Sequence, residues 1–129
     1  MNAAIRRHVR QRAQDRCEYC GLRQEHSPLA ALQIEHITPR KHGGSDELEN
    51  LALACIDCNL SKSSNLSGLD PETGLLTPLF HPRRDLWEDH FELNGVYIVG
   101  RTAVGRTTLL VLNMNSEFQC ELRAAIAES

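Results

Sequence analysis

Two Cys-x-x-Cys pairs, Cys17/Cys20 and Cys55/Cys58, stand 34 residues apart and constrain this chain more than any other feature. Two cysteines three positions apart can turn toward one ion, and Gly21 allows the backbone to reverse after the first pair. Four thiolates at roughly 2.3 Å from one zinc make a closed tetrahedral site with no open position. The spacing therefore predicts one structural Zn2+ per chain, held by Cys17, Cys20, Cys55 and Cys58. It would tie the N-terminal helix to everything around the second pair. Four unrelated buried thiols or two disulfides are the alternatives. The fifth cysteine, Cys120, makes the count odd, and the N-terminus carries no apolar signal-peptide core. A secreted disulfide framework prefers neither property. We expect a cytoplasmic protein, with Cys120 as a buried free thiol on a helix.

The chain has 129 residues, suited to one domain, and only 5% aromatics, so a metal staple is plausible for so small a core. No run approaches the ~18 apolar residues of a membrane helix, so no membrane partner is expected. The net charge is −3, which does not by itself point to nucleic acid. Its distribution is uneven: residues 1–41 carry eight Lys/Arg against four Asp/Glu, and residues 42–129 carry six against thirteen. A basic front half could face phosphates, through Arg6, Arg7 and Arg10 of the first helix; a merely solvated charged face is the alternative.

Taken in order, residues 2–15 read as a helix capped by Asn2, with Ile5, Val9 and Ala13 on one face. After the first cysteine pair, residues 23–31 read as loop. A short strand at 32–34 runs into Glu35-His36, and Gly43-Gly44 makes a tight turn. Asp46 or Ser45 caps a helical turn through Glu49. Leu51 to Ala54 is the returning strand, with Leu51 and Leu53 on one face, and residues 57–63 are helix. Residues 64–82 read as loop. Residues 83–90 can form a helix placing Leu86 and Trp87 inward. Residues 91–93 and 96–99 read as a hairpin turning at Asn94-Gly95. Residues 104–114 fit strand by composition and helix by periodicity. Ser116 caps a final helix through Ala127.

The chemistry lies between Ile34 and Lys62. Glu35 and His36 are adjacent on a strand, so their side chains leave opposite faces. Hydrolysing a phosphodiester needs a base for water, and neutral imidazole serves near neutral pH. It also needs a divalent cation on hard oxygen ligands to offset the developing negative charge. Asn59, on the helix after the second strand, can offer an amide oxygen. Asn50 sits where its amide can bridge backbone groups and fix the loop bearing His36. Lys62, one turn after Asn59, can reach a phosphate.

These residues in this order, Glu-His-Ile-x-Pro, Gly-Gly, Asn-Leu and Cys-x-x-Cys-Asn-x-x-x-Lys after an upstream Cys-x-x-Cys, resemble the HNH endonuclease family in its zinc-stapled form. The resemblance covers about residues 13–63, and residues 80–129 resemble the tail of some small bacterial HNH proteins, which implies helix at 105–113. It implies an α+β fold: a small ββα-metal (His-Me finger) core stapled by a four-cysteine zinc site, with an N-terminal helix and a C-terminal hairpin plus helices, all as one domain over 1–129. It implies His36 as general base, Glu35 and Asn59 as ligands of a catalytic cation, and Asn50 as the loop-orienting residue. Where the family often has a third His, this chain has Asn59. An amide oxygen is a poor ligand for soft metals, so Mg2+ or Mn2+ is expected at that site.

The implied activity is metal-dependent hydrolysis of DNA phosphodiester bonds. A non-catalytic zinc module that binds nucleic acid, and a nuclease inactive without a protein partner, are the alternatives. The Glu35-His36 pair with Asn59 argues for the enzyme, because a binding module has no need of an acid–imidazole pair beside hard ligands.

Overall fold

The structure is a computed structural model describing residues 1–129, and the chain clusters into two compact units. The first comprises Met1–Asn65 with His81–Arg84, and the second comprises Leu66–Phe80 with Asp85–Ser129. None of its helices is long and apolar enough to cross a membrane.

The first unit opens with helix α1 (Ala3–Arg12). Asn2 caps it as expected: its Oδ1 accepts from Ile5 N at 2.9 Å, satisfying one of the four N–H groups a helix start leaves open. Val9 is fully buried, while Ile5 at the rim of the same stripe is half-buried. The last turn adds an anchor that periodicity does not reveal. Arg12 donates to Leu48 O at 3.0 Å and Leu51 O at 2.7 Å, fastening α1 to the start of the second strand.

The core of this unit is β1 (Gln33–His36), β2 (Leu51–Ala54) and α2 (Ile56–Lys62). The strands are antiparallel, with Glu35 opposite Ala52 and His36 opposite Leu51. All four residues of β2 are buried, correcting the expectation of one inward face. One reason is the metal knuckle, which covers the edge of β2. Glu18 N donates to Leu53 O at 2.8 Å, and Leu53 N donates to the Glu18 carboxylate at 2.8 Å. Arg83 in turn bonds the other oxygen of Glu18.

Between β1 and β2 the chain makes a closed loop. Gly43 sits at φ +84°, a conformation glycine adopts without strain. Gly44 is required for a different reason, since a Cβ there would lie 1.7 Å from Thr38 O. Leu48–Asn50 forms the short 3-10 turn that leads into β2. Ser45 Oγ accepts from Glu47 N at 3.2 Å, but Asp46 does not cap this turn.

In the second unit the sequence reading needs four corrections. Residues 64–82 are not all loop: β3 (Ser67–Leu69) and β4 (Leu76–Pro78) form a hairpin. Its tip is organised by Asp70, which accepts from Glu72 N, Thr73 Oγ1 and Arg106. Turn-forming residues at 70–74 hid two strands of three residues each, too short to show an alternation. Helix α3 spans only Trp87–His90, and Leu86 is exposed rather than inward. The hairpin β5 (Phe91–Asn94) and β6 (Tyr97–Gly100) pairs Asn94 with Tyr97, so its two-residue turn is Gly95-Val96, one position later than expected. Gly95 takes φ +64° there. Cys120 is half-buried rather than buried.

Residues 103–111 are helix, α4 (Ala103–Val111), in line with the tail resemblance. Two glycines let it pack closely. A Cβ on Gly105 would fall 2.0 Å from His90 O, and one on Gly100 would fall 2.5 Å from Arg106 N. Phe80 and Phe91 meet edge-on at 5.4 Å, and Trp87 lies 5.1 Å from Phe91, forming the aromatic part of this core. Helix α5 (Glu117–Ala127) begins at Ser116, whose Oγ accepts from Gln119 N at 3.1 Å as expected.

Candidate metal centre and active site

The four paired cysteines converge. All four Sγ atoms lie within 4.8 Å of one another, with Cys20 and Cys55 at 3.7 Å. Sulfurs at roughly 2.3 Å from a central zinc stand about 3.8 Å apart, so the quartet fits one tetrahedral ion. Each knuckle is turned by its own backbone: Cys20 N points at Cys17 Sγ at 3.5 Å, and Cys58 N at Cys55 Sγ at 3.4 Å. The second contact also makes Cys55 the N-cap of α2, so the ligand pair starts the helix. Hydrogen bonding among the thiols, joined by burial, pushes Cys20 and Cys58 well up, and the same hydrogen bonding pushes Cys55 down against the effect of burial. A bound cation would relieve that conflict by stabilising all four thiolates.

Residue Tyr19, inside the first knuckle, was not singled out by sequence reasoning. Its ring is fully buried and its hydroxyl donates to Glu35 Oε1. The only sequence signal for it is its place between two ligands, which fixes where it points once the ion is bound. Burial, followed by the charge of Glu35, raises the phenol well above its ordinary range, so it stays a donor.

Glu35 projects from β1 toward α2 and is 5% exposed. Its second oxygen lies 3.1 Å from Lys62 Nζ. Burial is the largest influence and raises the Glu35 carboxyl, with Lys62 and Tyr19 opposing it. Lys62 was expected at a phosphate. Its ammonium is instead buried, and it also donates to Ile37 O at 2.9 Å and His36 O at 3.3 Å. Three oxygen partners explain how a lysine that is 2% exposed remains paired.

Asn59 sits one turn before Lys62 on α2. Its Nδ2 donates to Gln33 Oε1 at 2.6 Å, which brings it beside the Glu35 face of β1 two residues away. With its nitrogen used in this way, the amide oxygen is the ligand atom it can offer. A carboxylate oxygen and an amide oxygen are both hard donors, the kind that Mg2+ and Mn2+ take.

His36 leaves the opposite face of the strand. Its Nε2 lies 2.7 Å from Asp46 Oδ1, and Arg40 bonds both oxygens of Asp46, at 2.9 and 3.1 Å. The hydrogen bond from His36, then that from Arg40, lowers the Asp46 carboxyl, so it is ionised at neutral pH. Asn50 lies behind this group. Its Oδ1 accepts from Thr38 N at 2.8 Å, while Nδ2 donates to Thr38 O at 3.0 Å and Ser45 O at 2.7 Å. One amide thus staples both ends of the loop between the strands. Asp46 was expected only as a cap, the commonest use of an aspartate before a helical turn; nothing local marks its contact with a histidine ten residues away.

Of the arginines expected to face phosphates, Arg6 and Arg7 are exposed and Arg10 is half-buried.

No curated protein and no solved structure matches the chain. A family model does, that of HNH endonuclease, over residues 17–65. The matched segment contains both cysteine pairs, β1, β2 and α2. Residues 17–65 are thus similar to an HNH endonuclease domain, which supports a nuclease-type function in general.

Proposed function

We propose that this protein is a metal-dependent endonuclease that hydrolyses DNA phosphodiester bonds, with His36 as the general base. The observation that carries the reading is the split at β1: within the matched segment, Glu35 turns toward α2, where Asn59 bonds Gln33 two residues before it, while His36 turns to the loop and Asp46. Base and cation ligands are thereby kept on separate faces of one short strand.

In the proposed reaction His36 takes a proton from water. The water oxygen forms the new bond to phosphorus, and the bond to the departing 3′-oxygen breaks with its electron pair. That oxygen then takes a proton from solvent. Glu35 and Asn59 would hold the divalent cation, which supplies charge neutralisation at the phosphate when bound. Lys62 and Tyr19 hold Glu35 in place, and Asn50 keeps the His36 loop closed. The structural ion on the cysteines would be Zn2+. Arg6, Arg7 and Arg10 would meet the phosphate backbone.

A second reading, a zinc module that binds nucleic acid without cutting it, draws on the buried Lys62–Glu35 pair, which already gives the carboxylate a structural use. Plasmid incubated with Mg2+ or Mn2+, with and without chelator, beside His36→Ala, separates the two. Cation-dependent nicking by the wild type and a loss of roughly 100-fold or more in the variant is expected. Equal nicking by both proteins removes the assignment of His36.

A further inference from the structure

The carboxylate of Asp46 is the one charged group bonded to the His36 ring, and nothing in the activity described so far uses it. Resting on the reading of His36 as the base, we propose that Asp46 is its positioning residue, fixing the imidazole as the Nε2–H tautomer so that Nδ1 carries the lone pair that accepts the proton from water. An ionised carboxylate only accepts hydrogen bonds, so the 2.7 Å contact makes Nε2 the donor. A neutral imidazole with a proton on one nitrogen is basic at the other.

Three features show that the contact is built by the loop. Arg40 grips both Asp46 oxygens, which orients the carboxylate toward the ring. Asn50 Nδ2 holds Ser45 O, the carbonyl immediately before Asp46, at 2.7 Å. Gly44 passes so close to Thr38 O that no side chain fits, so the loop can close far enough for residue 46 to meet residue 36. The loop-orienting amide therefore acts on the base through Asp46 as well as through the strand end at Thr38. The competing explanation is a solvent-facing ion pair without consequence, since the Asp46 side chain is 51% exposed. The two explanations predict different outcomes: an ion pair without consequence leaves kcat unchanged when Asp46 is neutralised.

The test is plasmid cleavage at saturating Mn2+ by wild type, Asp46→Asn, Asp46→Glu, His36→Ala and the double variant His36→Ala/Asp46→Asn, with 15N NMR of the His36 ring. Asp46→Asn is expected to lower kcat about 10- to 100-fold without raising KM for DNA, the range for losing a partner that orients a catalytic group. Asp46→Glu recovers part of that loss, and Asp46→Asn adds nothing once His36 is gone. In the ring spectrum the wild type shows the Nε2–H tautomer and Asp46→Asn shows a mixture. An Asp46→Asn enzyme with undiminished kcat while His36→Ala is inactive overturns the proposal and leaves the base assignment standing. An Nδ1–H ring in the wild type overturns it independently of any activity. A fully active His36→Ala instead sinks the reading of the base itself.

Discussion

Lys62 Nζ stands 3.1 Å from Glu35 Oε2 with both side chains almost wholly out of solvent. The pair joins α2 to β1 at the strand position that the proposed chemistry uses. A buried pair of this kind contributes little beyond what an apolar substitute would, yet it is costly to break, because removing one partner strands the other's charge.

Lys62→Met is therefore expected to destabilise the protein by about 3–5 kcal/mol, the range for an orphaned buried charge. Adding Glu35→Gln should recover much of the loss. Urea unfolding of the two single variants and the double variant measures it. A loss under about 1 kcal/mol in Lys62→Met means that the pair is screened as a surface bridge would be.

Metal content should be one tightly held zinc per chain, lost in Cys55→Ser. Because Cys55 is both a ligand and the cap of α2, the variant should also lose helical signal in far-UV circular dichroism. Mass spectrometry under native conditions counts the ion. Retention of a full zinc complement by Cys55→Ser contradicts the quartet.

In the second unit Arg106 holds the Asp70 carboxyl below its ordinary range, helped by Glu72 N and Thr73. The native state thus binds that proton less readily than the unfolded chain, where an aspartate titrates near ~3.9. The stabilisation is fully present above about pH 4 and fades as the pH falls below it. The melting temperature should drop between about pH 4 and pH 2, and less steeply in Asp70→Asn. Parallel slopes in wild type and variant would falsify the linkage.

Asn50→Asp keeps the oxygen that accepts from Thr38 N and loses the two donations, to Thr38 O and Ser45 O. Each lost bond is worth about 1 kcal/mol, so a stability loss of about 2 kcal/mol is expected. Nuclease activity should fall with it as the loop bearing Asp46 opens. Wild-type activity and unfolding midpoint in this variant would show that the loop closes without the amide.

Replacing Arg6, Arg7 and Arg10 with alanine should flatten the salt dependence of DNA binding. Each lost phosphate contact reduces the log–log slope by about 0.9, so a change of roughly 2 to 3 is expected. An unchanged slope takes α1 out of the interface.

Much of the first unit was legible because its signals are local. The Cys-x-x-Cys spacing dictates where each ligand pair turns, Asn2 caps its helix, and β2 and α2 fall within a residue of where pattern and punctuation put them. The spacing also put Asn50 between two strands, beside backbone groups its amide could bridge. The second unit was less legible. Strands of three residues are too short to alternate, and the hairpin turn moved one position because pairing Asn94 with Tyr97 leaves Gly95 in the left-handed conformation its turn requires.

The amino-acid sequence alone determined the two Cys-x-x-Cys turns, the Glu35-His36 split across a strand and the order strand, loop, strand, helix, because backbone geometry sets each over a few residues. Only the tertiary structure decided what the polar side chains bond: Tyr19 and Lys62 with Glu35, Asp46 with His36, Arg106 with Asp70. The physical reason is that a polar side chain takes whichever partner the fold carries to it, here from 10 to 36 residues away along the chain.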